Sequence, residues 1–344
     1  MKKLISLTLA ISLIFIAACS NSGTAPSGTG SSAGKGEQAG DAAKKKTVLK
    51  MNMVASSSDK TYTYWQDFAK ELTEASKGTL EVQIYPTETL GKTTDTIQAI
   101  SYGAPILQDS DPSHLADYVP DFSIFMHPYL FKKPEDIEKA WKSDIGQNLS
   151  RKLEEKGLKI VTLVYFGTRH LISGKEVVTR DDTKNMKIRN APTKMWNEVT
   201  KVLGGNPTNT AWSEVYTALS QGVADAAESP LSLLYSSKLY EAKKHISLTG
   251  HLVATTSIVM SKQVYDSLPA EAKKAIDEVG QAYPAKRAKL ITDIEKEFRQ
   301  KLETEGVKFN EVKKEGFIEA SKSVSKSFPE WTPGLYDSML KAIQ

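Results

Sequence analysis

Two arginines at strand ends carry the chemistry most open to reading in this chain. The segment Met186-Lys187-Ile188-Arg189-Asn190 alternates in polarity, with Met186 and Ile188 on one face and Lys187 and Arg189 on the other. Arg189 is therefore expected to point away from the apolar layer of its strand. Its guanidinium is a planar fork of donors that matches a carboxylate bidentately and stays charged at any relevant pH. Arg169 follows a largely apolar run, Leu158 to Tyr165, which reads as a central strand ending in Phe166-Gly167-Thr168-Arg169. Downstream, Ser229-Pro230 reads as a helix start, with serine as cap and proline as first helical residue. Free backbone N–H groups and the positive end of a helix dipole are expected there. Small organic acids are the ligands such groups suit.

The elements that must position these residues alternate. Val48 to Val54 reads as a strand, and a helix follows with Trp65, Phe68, Ala69 and Leu72 at spacings of three and four. Glu81 to Tyr85 alternates as a second strand, stopped by Pro86. Between the two anchors, Ser213 to Gly222 predicts a helix with Val215 and Leu219 inward, and Val223 to Ala227 a short strand delivering Ser229. A long helical pattern begins near Pro269 with Ile276, Val279 and Tyr283, and after a break continues through Leu290, Ile294, Phe298 and Leu302. Pro284 is expected to kink it, because proline removes a backbone donor and clashes with the preceding turn. Strands alternating with helices predict an α/β fold.

Composition narrows the function. The 344 residues are 40% hydrophobic and 25% charged, which suits one large domain or two lobes. The net charge is +4, or +2 without Lys2 and Lys3, and gives no nucleic-acid footprint. Catalytic signatures are missing: no Gly-x-Ser-x-Gly elbow, no phosphate loop and no His-Glu-x-x-His. His114, His127, His170, His245 and His251 show no metal-ligand spacing. No enzyme, metal or cofactor is expected.

The N-terminus has the layout of a secretory signal at 1–18: Lys2 and Lys3, then a largely apolar run of 15 residues from Leu4 to Ala18. That run falls short of the roughly 20 residues that span a bilayer. Ile16-Ala17-Ala18-Cys19 looks like a bacterial lipobox, in which Cys19 is lipidated and becomes the first residue. Cys19 is also the chain's one cysteine, which excludes an internal disulfide. Residues 19–46, rich in Ser, Gly, Ala and Thr, bury too little apolar surface to fold. They predict a tether whose reach, at about 5 to 6 Å times the square root of the residue number, is on the order of 30 Å. The expected location is extracytoplasmic, lipid-anchored to the cell membrane.

Met186-Lys187-Ile188-Arg189, Asn206-Pro207, Trp212 to Leu219 and Gln221-Gly222-Val223-Ala224-Asp225 resemble one family closely, the DctP-type solute-binding proteins of tripartite ATP-independent periplasmic (TRAP) transporters. The resemblance runs from about Val48 to the C-terminus. It implies a two-lobed periplasmic-binding-protein-like fold with a central cleft and a long kinked helix spanning both lobes. Lobe I would hold residues 47–166 and 257–295, and lobe II residues 167–256 and 296–344. It also implies a monomer that closes on a carboxylate and hands it to TRAP membrane permease subunits.

The same resemblance places Arg189 on the arginine that clamps the ligand carboxylate, and Arg169 on a position that often reaches the same anion. Trp212 falls where an aromatic packs over the ligand's carbon skeleton, and Asp109 where an acidic or polar side chain meets ligand hydroxyls. Ser229 occupies a position most often filled by asparagine; serine keeps a donor but loses reach. Tyr62, early in the first helix, is a further lining candidate. Each has a plainer reading: Arg169 pairs with a nearby acid, Ser229 only caps its helix, Trp212 and Tyr62 pack the core, and Asp109 sits in a loop. Glu228 reads as structural or solvated. Ser56 to Lys60 and Gly103-Ala104-Pro105 depart from the family pattern. A ligand sensor that presents its closed form to a receptor kinase would share these features, and so, less well, would a binding protein of an ATP-driven importer.

Overall fold

A computed structural model of the chain describes residues 46–344; the expected signal peptide, Cys19 and almost all of the tether lie outside them. Strands β1 (Thr47–Asn52), β2 (Leu80–Tyr85) and β3 (Ile106–Ser110) open the fold, with β1 paired in parallel to both others. Parallel neighbours need crossover connections. The helices Lys60–Ala75 and Thr93–Ser101 supply them. Asp59 caps the first, accepting the Thr61 N–H at 2.7 Å, and Trp65, Phe68, Ala69 and Leu72 form its buried stripe.

The chain continues through β4 (Leu158–Ser173), β5 (Lys187–Asn190), β6 (Asn206–Asn209), β7 (Ala226–Pro230), β8 (His245–Ser261) and β9 (Lys308–Asn310). All nine strands join one sheet in the order β2-β1-β3-β8-β4-β7-β5-β6, with β9 beside β8. The antiparallel pair β4 and β8 runs through the centre. β3 attaches to β8 at Ser257–Met260, whereas β7 attaches to β4 at Arg169–Ser173. Between these attachments residues 164–168 pair only with residues 253–256. The sheet thus narrows to two strands, and a two-stranded ribbon twists and bends more easily than a wide sheet. A bulge between Tyr165 and Gly167 marks this waist. Gly167 has φ 135°, and a Cβ on it would lie 2.7 Å from the Pro230 ring. Only glycine fits.

The helix Ala270–Thr304 packs along β4 and touches both the Lys60–Ala75 helix and the short helix Leu231–Ser236. It therefore braces both sides of the waist. It runs unbroken through Pro284, so the expected interruption there is not a break. Proline costs a helix interior about 3 kcal/mol. Burial on either side offsets this: Tyr283 stacks on Trp65 at 5.5 Å, Ile276, Ile291, Ile294 and Phe298 are buried, and Gly280 packs directly on the Val161 carbonyl. Glu295 ties the helix to the waist by accepting the Thr168 N–H and, at 3.0 Å, the Tyr165 hydroxyl.

The C-terminal helix Leu335–Ile343 packs on the helices Pro134–Lys142 and Asp144–Glu154, on the β1–β3 side of the waist. Trp331 donates to the Pro120 carbonyl at 3.1 Å and the Thr332 N–H to Asp121 at 2.7 Å. The last residues thus rest on the part expected as lobe I, although 296–344 was expected within lobe II. Apolar contact decided this: Trp331, Leu335 and Met339 are buried there. Among the described residues no helix is long and apolar enough to cross a membrane.

Candidate functional site

A cleft opens beside the waist. The β1–β3 side contributes Glu88, Asp109, Asp111 and His114, and the other side Arg169, Arg189, Trp196 and Trp212. Hydrogen bonds already bridge it. Trp196 Nε1 donates to Asp111 at 3.2 Å, the Thr193 hydroxyl to Ser113 at 3.0 Å, and the Ser213 N–H to Glu88 at 3.3 Å. Lys92 pairs with Glu214 at 2.9 Å across the rim. This is a closed arrangement.

Arg189 sits on β5, between the buried Ile188 and Asn190, and is 3% exposed. Its Nη2 donates to the Thr210 carbonyl at 2.5 Å, and the guanidinium lies 5.1 Å from the Trp212 ring. Its Nε is buried without a partner. Burial lowers its pKa to about 10, so the group stays charged at neutral pH. Among the described residues it makes no ion pair. A buried charge without a counterion costs several kcal/mol, a cost that an anion in the cleft would offset.

Arg169 differs. Its Nε and Nη2 grip both Glu228 oxygens at 2.5 and 2.8 Å, and Nη2 also donates to the Glu228 carbonyl at 3.1 Å. His251 Nε2 lies 3.1 Å from the same carboxylate and its Nδ1 lies 2.8 Å from the Thr249 hydroxyl. Burial pushes the Glu228 pKa up, but Arg169 and His251 outweigh it and hold it down at about 2. Arg169 still faces the cleft, stacked 4.6 Å from Trp196. The plainer reading of Arg169, pairing with a nearby acid, holds together with its place in the wall.

Asp109 lines the cleft but is engaged from behind, by the Thr256 hydroxyl and by Trp65 Nε1 at 3.1 Å; burial raises its pKa. Asp111 accepts from the Ser113 N–H at 2.9 Å and lies 3.1 Å from His114 Nδ1, an ion contact rather than an aligned hydrogen bond. Burial opposes both charges, yet their mutual attraction wins: the Asp111 pKa is well below normal and that of His114 is raised. Arg287 is a third buried arginine and, like Arg189, makes no ion pair among the described residues. It lies on the face of Trp65 at 4.3 Å, donates Nε to the Tyr165 carbonyl at 3.3 Å, and is absent from the cleft wall.

Two expected residues lie elsewhere. Ser229 is inside β7, paired with His170, and the following helix begins at Leu231 with Pro230 as its cap. Strand alternation puts Ser229 on the face opposite Glu228, away from the cleft lining, where its buried hydroxyl has no partner. The ladder to β4 carries the extended conformation through Pro230, so Ser229 caps no helix. Tyr62 sits on the flank of its helix against Val82 and Ile84 of β2, in an outer groove. Trp65, three residues on, takes the inward position. Trp212 does line the cleft, on the 3-10 turn Trp212–Glu214, half-buried.

Sequence reasoning missed Glu228 as the partner of Arg169, because only the antiparallel register of β4 and β7 brings them together. It also missed Asp111, His114 and Trp196. Asp111-Pro112-Ser113-His114 does carry a signal, an aspartate capping a turn with proline first and histidine three residues on.

A family model, bacterial extracellular solute-binding protein, family 7 (DctP), matches residues 51–330. The chain belongs to this family. It is 28% identical to the 2,3-diketo-L-gulonate-binding periplasmic protein YiaO of Escherichia coli, over 75% of this chain and 79% of that one. It is 27% identical to the sialic acid-binding periplasmic protein SiaP of Vibrio cholerae, over 82% and 88%. Its fold is similar to the crystal structure of a TRAP periplasmic solute binding protein from Ochrobacterium anthropi with bound L-fuconate, with a TM-score of 0.84, 29% identity, and 87% and 100% of the two chains covered.

Proposed function

We propose that this protein captures a small organic acid outside the cytoplasm and delivers it to a TRAP-type secondary transporter. The observation that carries the reading is Arg189, a buried cation without a counterion in the wall of a two-sided cleft. A carboxylate supplies the missing charge and takes the fork of donors bidentately. Closure around it excludes water and strengthens each charged hydrogen bond. Arg169, fixed by Glu228, adds a donor edge, and Trp212 covers the carbon skeleton. Bending at the two-stranded waist opens and closes the site, with the β1–β3 side as one lobe and the β5–β7 side as the other.

Names of relatives support the class: 2,3-diketo-L-gulonate, sialic acid and L-fuconate are all carboxylates. Signal cleavage before Cys19, its lipidation and a monomeric body on a flexible tether complete the proposal. A thermal-shift screen against keto, aromatic, uronic, aldonic, sialic and C4-dicarboxylic acids tests it. Ligand at about 100 times its dissociation constant adds roughly 2.7 kcal/mol of stability. At least one acid should shift the wild-type protein and leave Arg189→Ala unmoved. A screen in which only uncharged solutes bind would sink the proposal.

A further inference from the structure

Most polar groups of the cleft wall are already engaged. Glu88 accepts the Thr93 N–H and hydroxyl with one oxygen, both at 3.0 Å, and the Ser213 N–H with the other. Asp109 has Thr256 and Trp65 on its two oxygens. Asp111 takes the Ser113 N–H and hydroxyl on Oδ1 and Trp196 Nε1 on Oδ2. Lys92 is turned to Glu214. A ligand with several hydroxyls would compete with partners already in place, and each hydroxyl left buried and unpaired would weaken binding roughly five- to a hundredfold. Threonine and serine side chains and His114 share the rest of the wall with an apolar set, Val54, Phe166, Pro192, Trp196, Trp212 and Leu233.

The charge count points the same way. Glu228 neutralises Arg169 and Glu214 neutralises Lys92, which leaves Arg189 as the uncompensated charge of these three cations. A second carboxylate or a phosphate dianion would enter a closed cavity with nothing to balance it.

We propose that the ligand is a monocarboxylate with an apolar body, aromatic or branched aliphatic, its head on Arg189 and its body between Trp212, Trp196 and Phe166. This rests on the reading of the cleft as a carboxylate-capture site. The direct test is calorimetry on the mature chain with phenylpyruvate, 4-methyl-2-oxopentanoate, D-galactonate, succinate and glycerol 3-phosphate. One of the first two should bind at least a hundredfold tighter than the last three, with a negative heat-capacity change from apolar burial, and Arg189→Ala should abolish it. Tighter binding of galactonate, succinate or the phosphate that still needs Arg189 would overturn the apolar class and leave acid capture standing. If none of the five binds while a polyhydroxylated acid from the wider screen does, the apolar class is likewise overturned. If no acid of any kind binds, the capture reading falls with it.

Discussion

Arg169 and Arg189 line the same cleft from one sheet, at 6% and 3% exposure, and differ in what balances them. Glu228 holds one edge of Arg169 through Nε and Nη2, with His251 on the same carboxylate. Arg189 has a backbone carbonyl, an aromatic face and an orphan Nε. Residue type and burial are the same, so the counterion separates their roles. The first is a finished structural pair that also forms wall, and the second is, on the proposed function, half of a pair that a ligand would complete.

Removing the counterion of the finished pair should have the largest effect. Glu228→Ala strands a buried guanidinium, and breaking such a pair costs about 3 to 5 kcal/mol. Thermal denaturation without ligand should show the loss, whereas Arg189→Ala should leave the ligand-free melting temperature unchanged or raised. Equal destabilisation by both would erase the contrast.

Acid sharpens the same comparison. The Glu228 pKa falls from 4.5 in the unfolded chain to about 2 in the fold, so its contribution is complete above pH 4.5 and is lost as pH drops toward 2. Asp109 and Glu295, whose pKa values burial raises, act in the opposite direction. The informative quantity is therefore the difference between wild type and Glu228→Gln, which should shrink across that window. A difference that stays constant would mean that Glu228 is not held ionised by Arg169.

Smaller effects probe the open pair. Trp212→Ala should weaken ligand binding by about 1 to 2 kcal/mol through lost stacking and apolar contact, measured by titration. Lys92→Ala removes an exposed rim pair with Glu214 and should change affinity least, by an amount that fades in high salt. A larger loss from Lys92→Ala than from Trp212→Ala would move the weight of binding from the cleft wall to its rim.

Much of the frame was legible in local pattern. The stripe Trp65, Phe68, Ala69 and Leu72 is buried as its spacing predicts, the opening strands pair in parallel, and the long helix from Ala270 carries Ile276, Tyr283, Ile294 and Phe298 inward. Arg189 was legible because alternation on one strand decides its direction. Features set by partners far along the chain were not. Ser229-Pro230 has the local chemistry of a helix start, but pairing with β4 keeps it extended. Glu228 sits 59 residues from Arg169, and no local spacing encodes that meeting. The packing of Trp331 and Leu335 back on the β1–β3 side likewise depends on which apolar surface was left uncovered.

The central claim, that Arg189 waits for an anion, is tested most directly by titrating the best-binding acid into wild type and Arg189→Ala side by side. Truncating one member of a buried charge pair costs about 2 to 5 kcal/mol, so the variant should lose roughly thirtyfold to several thousandfold in affinity while its circular dichroism is unchanged. Equal affinity in the two proteins would contradict the account.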